Sequence, residues 1–474
     1  MEKKNRILFK NVIYTFLSNF TSFIINALVV LIVPKVIGVS DYGYYQLYVL
    51  LATYALYFHF GWCDGIYLRH VGEDYNKLDK EILSSQFKGI CILSAILFVI
   101  FLLISLFTFS DPNKLWVYSF AVTAVLIVTP KTYTSVVLQA ANRMKQYSQL
   151  VLIEKIIYVV ILVLMIIIGI RDFEILILSD IIGKIAALLL GMFFCKEIIY
   201  TKIEKGRLKE YFYETLENIK VGSFLLLSNL ASILITGIIQ FAVEVKWSIE
   251  TFGKVSLTFN MSKMLLVVIT AMSIVLVPIL KHLNKKQLAY MYTGIRSILM
   301  FILGAMLLFY YPLKSILAIW LPQYSESLQY MALLFPMCLF ESKTSLLINT
   351  YMKAMREEKK LCAANVFTVM ISALAAAVTV FWLENINLAI LTIPCLLALR
   401  CIILEYYIEK VFDIHLMKDA IIEIGLATCF IVSSWYIDSW KSMIPYLIVY
   451  VSYVLYIRKD LIKTLKKILG STFN

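Results

Sequence analysis

Long apolar stretches separated by short polar ones set the pattern of this chain. A helix needs about 20 apolar residues to cross a bilayer. Runs of that kind lie near 12–34, 43–66, 89–109, 115–138, 151–170, 174–195, 219–242, 255–280, 288–311, 326–350, 361–383, 387–408, 420–437 and 442–457. They predict an all-α integral membrane protein with 12–14 transmembrane helices: twelve spans and a weaker, shorter final pair. Composition agrees, since 61% of the residues are apolar and only 16% charged, against about 45–50% and 25% in soluble domains. Soluble enzymes, nucleic-acid binders and secreted disulfide scaffolds are thereby excluded. The first run is too long for the apolar core of a cleavable leader and leads straight into further spans.

The polar breaks carry a topology signal. With the N-terminus inside, alternate segments hold 31 Lys and Arg on the inner side and seven on the outer. Basic residues are retained on the cytoplasmic side, so both termini are expected there, and most of the net charge of +13 is topology rather than a nucleic-acid footprint. External loops are short, which leaves no room for an outer catalytic domain. Any mechanism must lie between the helices. Pro130, Pro336 and Pro394 fall inside spans, where they can kink a helix and free a carbonyl.

The longest charged break, 196–220, follows the sixth span and suggests two pseudo-symmetric six-helix lobes. LSNFTS at 17–22 recurs as LSNLAS at 227–232, Gly43 matches Gly253 at the same offset, and Lys131-Thr132 recurs as Lys343-Thr344. A parallel duplication accounts for these matches together. The expected organisation is an N-terminal lobe over 1–200, a cytoplasmic linker over 201–218, a C-terminal lobe over 219–410, and an additional helix pair with a basic tail over 411–474. In that tail Leu461, Leu465, Ile468 and Leu469 share a face opposite lysines, the pattern of an interfacial helix against anionic headgroups.

Six basic residues remain inside spans: Lys131, Lys184, Lys263, Arg296, Lys343 and Arg400. Each costs roughly 2.5–3.5 kcal/mol at a lipid-facing helix centre, so they must face a polar interior, pair with acids or snorkel. Asp180 and Lys184 are four apart and can pair on one face. Arg296 sits about two turns inside a cytoplasmic end, where snorkelling and a cavity role are equally open. Glu154 and Glu405 lie near inner ends and are expected at the interface. Lys131, Lys263, Lys343 and Arg400 have no acid three or four positions away on their own helix and are expected to line a cavity, the alternative being a partner on another helix. Acids deep in spans are few: Asp64, Asp180 and Glu341. Asp64 either binds a coupling proton or sodium ion or partners one of the cations, and nearby His59 reads as a hydrogen-bonded core histidine. Eight scattered cysteines and four histidines show no metal-ligand spacing, and no cofactor is expected.

An excess of cations within the bilayer suits an anionic substrate, because a phosphate crossing a low-dielectric cavity needs compensating charge. Ser18, Asn19, Asn26, Ser228, Asn229 and Gln240 could hydrogen-bond sugar hydroxyls or join helices to one another.

The N-terminal motifs are familiar. Pro34–Gly38 as P-x-x-I-G, Asp41-Tyr42-Gly43 with Tyr45, then Gly61, Gly65 and Arg69 of FGWCDGIYLR, and later LQAANRMKQYS at 138–148, resemble the polysaccharide-exporter branch of the multidrug/oligosaccharidyl-lipid/polysaccharide (MOP) superfamily. The motif likeness is concentrated in the first 150 residues, while length, span number and two-lobe layout match throughout. The resemblance implies a Wzx-type flippase of the bacterial inner membrane. Such a protein moves undecaprenyl-pyrophosphate-linked oligosaccharide units to the outer leaflet for O-antigen or capsule synthesis, by alternating access through a cationic cavity. The implied partners are that glycolipid, membrane lipids, a polysaccharide polymerase and a chain-length regulator, and no nucleic acid. The competing readings are a lipid II flippase, a cation-coupled antiporter of the same superfamily, and a membrane polymerase or acyltransferase. The first span holds no acid for an antiporter, and short loops disfavour the enzymes. The candidate substrate-binding residues are Lys131, Lys263, Arg296, Lys343 and Arg400, with Asp64, Asp180 and Lys184 as coupling or ion-pair residues.

Overall fold

The computed structural model describes residues 2–280 and 284–471, and within them the side chains of 14, 17–204, 206–264, 266, 284–459, 461 and 462. The described regular elements are all helical. Each of the fourteen apolar runs falls on helix. Ten described helices are long and apolar enough to cross a membrane, or eleven if one bent pair is a single span. The run at 43–66 is divided by a turn, and the 420–437 run carries three charges in its helix, Lys418, Asp419 and Glu423. Outward faces of the span helices are strongly apolar, as at Ile92, Ile96, Val99 and Leu103, or at Ile156, Val160, Val163 and Ile167. Such rows suit acyl chains rather than water. This is a multi-pass membrane protein.

The chain forms two compact units, Met1–Leu230 and Ala231–Asn474. In the first, α1 (Glu2–Val36), α2 (Val39–Ala55) and α3 (Trp62–His70) precede α4 (Lys80–Thr108), α5 (Pro112–Ala140), α6 (Met144–Ile168), α7 (Phe173–Phe194) and the single turn α8 (Lys196–Ile199). Aspartates start the long helices: Asp79 accepts from the Glu81 and Ile82 amides, and Asp111 from that of Asn113, with Pro112 in the first turn. These satisfy helix-end donors that would otherwise stay unpaired. Between α2 and α3 the chain turns through Phe60 (φ 51°) and Gly61 (φ 86°), which breaks the second apolar run. Pro130 and Pro394, by contrast, lie inside continuous helices.

The unit boundary falls inside α9 (Leu208–Lys246). The stretch expected to be a linker is therefore helical from Leu208, and it is packed into the first unit. Glu81 on α4 accepts from the Tyr211 hydroxyl and pairs with Arg207 at 2.7 Å. Arg69 on α3 donates to Asn218 and pairs with Glu214, each at 2.7 Å. Backbones meet at the crossing. A Cβ on Gly65 would lie 1.8 Å from the Asn218 carbonyl oxygen, and one on Gly222 would lie 2.0 Å from that of Gly61. The Gly61, Gly65 and Arg69 pattern thus has a physical basis: two glycines admit α9 and the arginine fastens it.

In the second unit, the remainder of α9 is followed by α10 (Ile249–Leu280), α11 (Lys285–Leu307) and α12 (Tyr310–Trp320). The short α13 (Tyr330–Leu334), α14 (Met337–Ser342) and α15 (Asn349–Ala354) then precede α16 (Glu358–Ala376), α17 (Ile386–Phe412), α18 (Met417–Tyr436) and α19 (Met443–Ser471). Asn284 and Gln287 cap the start of α11 reciprocally, each side chain satisfying the other's amide. The segments from Ser327 to Ala354 form one path bent by 42° at Pro336, where the proline cannot continue the hydrogen-bond ladder. Residues Lys343–Ile348 within it are wound as a π-helix, a local widening often found at working sites. The final helix pair is an integral part of this unit: Tyr446 and Tyr450 donate to the Gly304 and Phe301 carbonyls of α11, both at 2.7 Å. The apolar face expected at Leu465, Ile468 and Leu469 lies outside the described side chains.

Candidate functional site

The sequence-predicted charges gather into three clusters, one in the first unit and two in the second. In the first unit, Lys131 on α5 pairs with Glu154 on α6 at 2.6 Å. Asp180 and Lys184, one turn apart on α7, pair with each other. The Tyr48 hydroxyl of α2 donates to Asp180 at 2.7 Å and accepts from Lys184 at 3.3 Å. Lys155 is near enough to act on Asp180 electrostatically. Lys131 therefore has a partner on another helix, the alternative to a cavity role, and Glu154, expected at the interface, supplies it. Three lysines face two carboxylates here, and the ion-paired side chains retain 12–17% exposure.

The second cluster is closed. Lys343 lies 2.7 Å from Glu405 on α17 and 2.5 Å from Glu423 on α18. Arg296 on α11 pairs with the same two acids at 2.8 Å each, and with Asp419 at 3.2 Å. Glu405 and Glu423 have no exposed surface, and Lys343 and Arg296 keep only 1% and 4%. This overturns three expectations. Lys343 does not line a cavity, Arg296 neither snorkels to the interface nor lines a cavity, and Glu405 is not interfacial. A buried charge without a partner is so costly that the chain has surrounded two cations with three acids. Sequence reasoning missed Glu423, whose only signal was an acid within the apolar 420–437 run.

The third cluster is the candidate site. Arg400 on α17, 1% exposed, donates one guanidinium nitrogen to Glu341 of α14 at 2.5 Å and another to the Ser232 hydroxyl of α9 at 2.8 Å. Its Nε is buried with no hydrogen-bond partner among the described residues. Lys263 on α10 is exposed and lies 4.2 Å from the Phe259 ring centroid. It forms no ion pair among the described residues, and Glu341 acts on it electrostatically. Two cations thus share one partly exposed carboxylate. Helix geometry separates this cluster from the closed one: Glu341 and Lys343, two positions apart, point to different sides. One side chain reaches Arg400 and the other reaches Glu405, so the stretch from α14 into the π-wound turn is joined to α17 by two rungs of opposite polarity.

Asp64 stands apart. It sits in the first turn of α3, just beyond the break, 4.0 Å from His59 and partnered by no Lys or Arg among the described residues. His59 Nδ1 accepts from the Gly61 amide at 3.2 Å.

The fold is shared with known transporters. The lipid II flippase MurJ, in an inward closed conformation, superimposes with a TM-score of 0.64 at 13% identity, over 95% of this chain and 99% of that one. An inward-facing multidrug resistance MATE family transporter of the MOP superfamily gives 0.60 at 11%, over 82% and 96%. A MOP superfamily transporter from Pyrococcus furiosus gives 0.51 at 12%, over 85% and 96%. At such identities the likeness is one of fold. No curated protein sequence matches the chain. A family pattern described as polysaccharide biosynthesis protein matches residues 8–284, more than half of the chain, and the chain belongs to that family.

Proposed function

We propose that this protein is a flippase that carries an anionic, lipid-linked oligosaccharide across the membrane by alternating access, with undecaprenyl-pyrophosphate-linked repeat units of a surface polysaccharide as its cargo. The observation that supports this most directly is the under-neutralised Arg400–Lys263–Glu341 cluster. A phosphate oxygen reaching it would complete the valence of Arg400 and offset the lone positive charge. Guanidinium and ammonium groups bind phosphate in complementary ways, the first through its planar fork and the second as a point charge. The residual positive charge at Lys131, Lys155 and Lys184 supports the same sign of cargo. The glycan would follow the pyrophosphate while the lipid tail stays in the bilayer.

The family assignment favours polysaccharide precursors. The MurJ likeness, which spans nearly the whole of both chains, favours lipid II as the second reading. Both cargoes share the pyrophosphate, so both use Arg400 and Lys263. Asp64 is the residue we assign to coupling, by a proton or a sodium ion. The setting is the bacterial inner membrane, with both termini cytoplasmic and with a polymerase and a chain-length regulator downstream.

The test compares the leaflet distribution of the lipid-linked unit in cells with and without the protein. Accumulation of complete units on the cytoplasmic side in its absence is expected. Units that cross but stay unpolymerised would instead point to an enzyme.

A further inference from the structure

A cavity of about 150 Å³ opens in the second unit beside α12 and the turn from α18 to α19, and none of its lining residues belongs to the charge clusters above. Taking the share of each water in the liquid as about 30 Å³, it holds roughly five waters. That is space for one pyranose ring with its hydroxyls and too little for a chain. Its walls are aromatic and hydroxylated. The Tyr311 hydroxyl is held between the Ser434 hydroxyl and the Ser442 carbonyl, both at 3.1 Å. The Trp440 indole N–H donates to the Ser315 hydroxyl at 3.0 Å, leaving a ring that is 56% exposed. Lys314 and Asp438 pair across the opening.

Two features identify a ligand class. The lining has one cation and one anion, so its formal charge is zero, which disfavours phosphate and quaternary ammonium alike. In addition Tyr310, 2% exposed and part of the lining, has a buried hydroxyl with no hydrogen-bond partner among the described residues. A buried hydroxyl left unpaired is costly, and a small turn of the Tyr310 ring toward the cavity would let a ligand hydroxyl remove that cost. An aromatic ring for the apolar face of a sugar, a charge pair offering both donor and acceptor, and an unsatisfied phenol suit a neutral polyhydroxylated ring.

We propose that this cavity is a sugar subsite that takes one uncharged pyranose residue. The idea deepens the export reading and rests on it only for the source of the sugar, a residue of the transported glycan. The basic-residue count places this end of the unit outside, where the cargo would leave.

The experiment is saturation-transfer NMR on the full chain in nanodiscs, with free glucose, galactose, N-acetylglucosamine and rhamnose, and with inorganic phosphate, ethanolamine and choline as comparators. Saturable transfer to at least one pyranose is expected. Trp440→Ala should abolish it, and Trp440→Phe, which keeps an aromatic body, should retain part of it. Tyr310→Phe should weaken it about fivefold, the worth of one hydrogen bond, while the melting temperature holds or rises because an unpaired hydroxyl has gone. No pyranose binding, binding that survives both Trp440→Ala and Tyr310→Phe, or transfer to ethanolamine or choline instead of sugar overturns the proposal, the last marking a lipid-headgroup site. Export is scored separately in cells, so loss of the flippase reading leaves this readout standing.

Discussion

Lys343→Met separates a structural charge from a transport charge. Methionine matches the length of the lysine stem and removes only the ammonium. In the native unit Glu405 and Glu423, both fully buried, share Lys343 and Arg296. Without Lys343 the two carboxylates have one cation between them, and Asp419 draws on the same guanidinium. Removing one partner of a buried pair costs about 3–5 kcal/mol, a factor of roughly a hundred to several thousand in the folded ratio. The double variant Lys343→Met, Glu423→Gln removes one charge of each sign and keeps the Arg296–Glu405 contact at 2.8 Å. It should recover most of the loss.

The assay is the melting midpoint of the detergent-solubilised protein, followed by the recovery of monodisperse protein from membranes, with glycan export scored beside it. Export should fall with the amount of folded protein in the single variant and return in the double. A single variant that melts like the wild type but exports nothing would refute this reasoning and return Lys343 to the substrate site. A double variant no better than the single would refute the charge-balance argument itself.

Arg400→Ala and Lys263→Ala should abolish or strongly reduce export while the protein level in membranes, read by immunoblot, stays within about twofold for Lys263→Ala, whose exposed ammonium has no ion-pair partner to strand. Glu341→Gln raises the charge of the cluster by one, so inorganic pyrophosphate should raise its melting temperature more than that of the wild type while transport slows, because release becomes harder. Gly65→Ala places a Cβ 1.8 Å from the Asn218 carbonyl oxygen, and backbone cannot yield as a side chain does. A loss of about 1–3 kcal/mol or more should appear as a lower melting temperature that Asn218→Ala does not relieve. Lys131→Ala should destabilise by leaving Glu154 unpaired, and Glu154→Gln on top of it should restore the midpoint.

The apolar pattern carried most of the fold, because a helix in lipid must satisfy its own backbone and be apolar outside. Both requirements can be read along one chain. The break at Phe60–Gly61 was not legible: the mostly apolar LYFHF at 56–60 reads as one more turn of the span, and only the left-handed backbone at its end reveals the interruption. Charges were legible as a problem but not as its solution. Lys131, Lys343 and Arg400 read as too costly to face lipid, but their acids lie 23, 62 and 59 positions away. A search at three and four positions finds only pairs such as Asp180 with Lys184. Partners on other helices depend on which faces meet, which periodicity alone does not specify. Glu154 and Glu405 were misplaced for the same reason, since depth in a span was judged from its ends rather than from the packing around it.

Where charge is left over therefore says more than where charge is. The closed cluster around Lys343 carries two cations and three acids and has no exposed acid except Asp419, so it can hold helices together without a ligand. The Arg400 cluster carries two cations and one acid, and it keeps a way to the surface through Lys263. Low-dielectric surroundings tolerate an excess charge only where water or a counterion can reach it. Of the two clusters described in this unit, the excess thus falls on the one that is open. Because Glu341 lies near the end of α14 and Lys343 opens the π-wound turn two residues on, one short stretch of chain is engaged by one cluster and clamped by the other. An anion that draws Arg400 away from Glu341 leaves the Lys343 clamp intact. The adjustment must then fall on the neighbouring bend at Pro336 or the π-wound turn beyond Ser342, the two places in this span where the regular helical ladder is already interrupted.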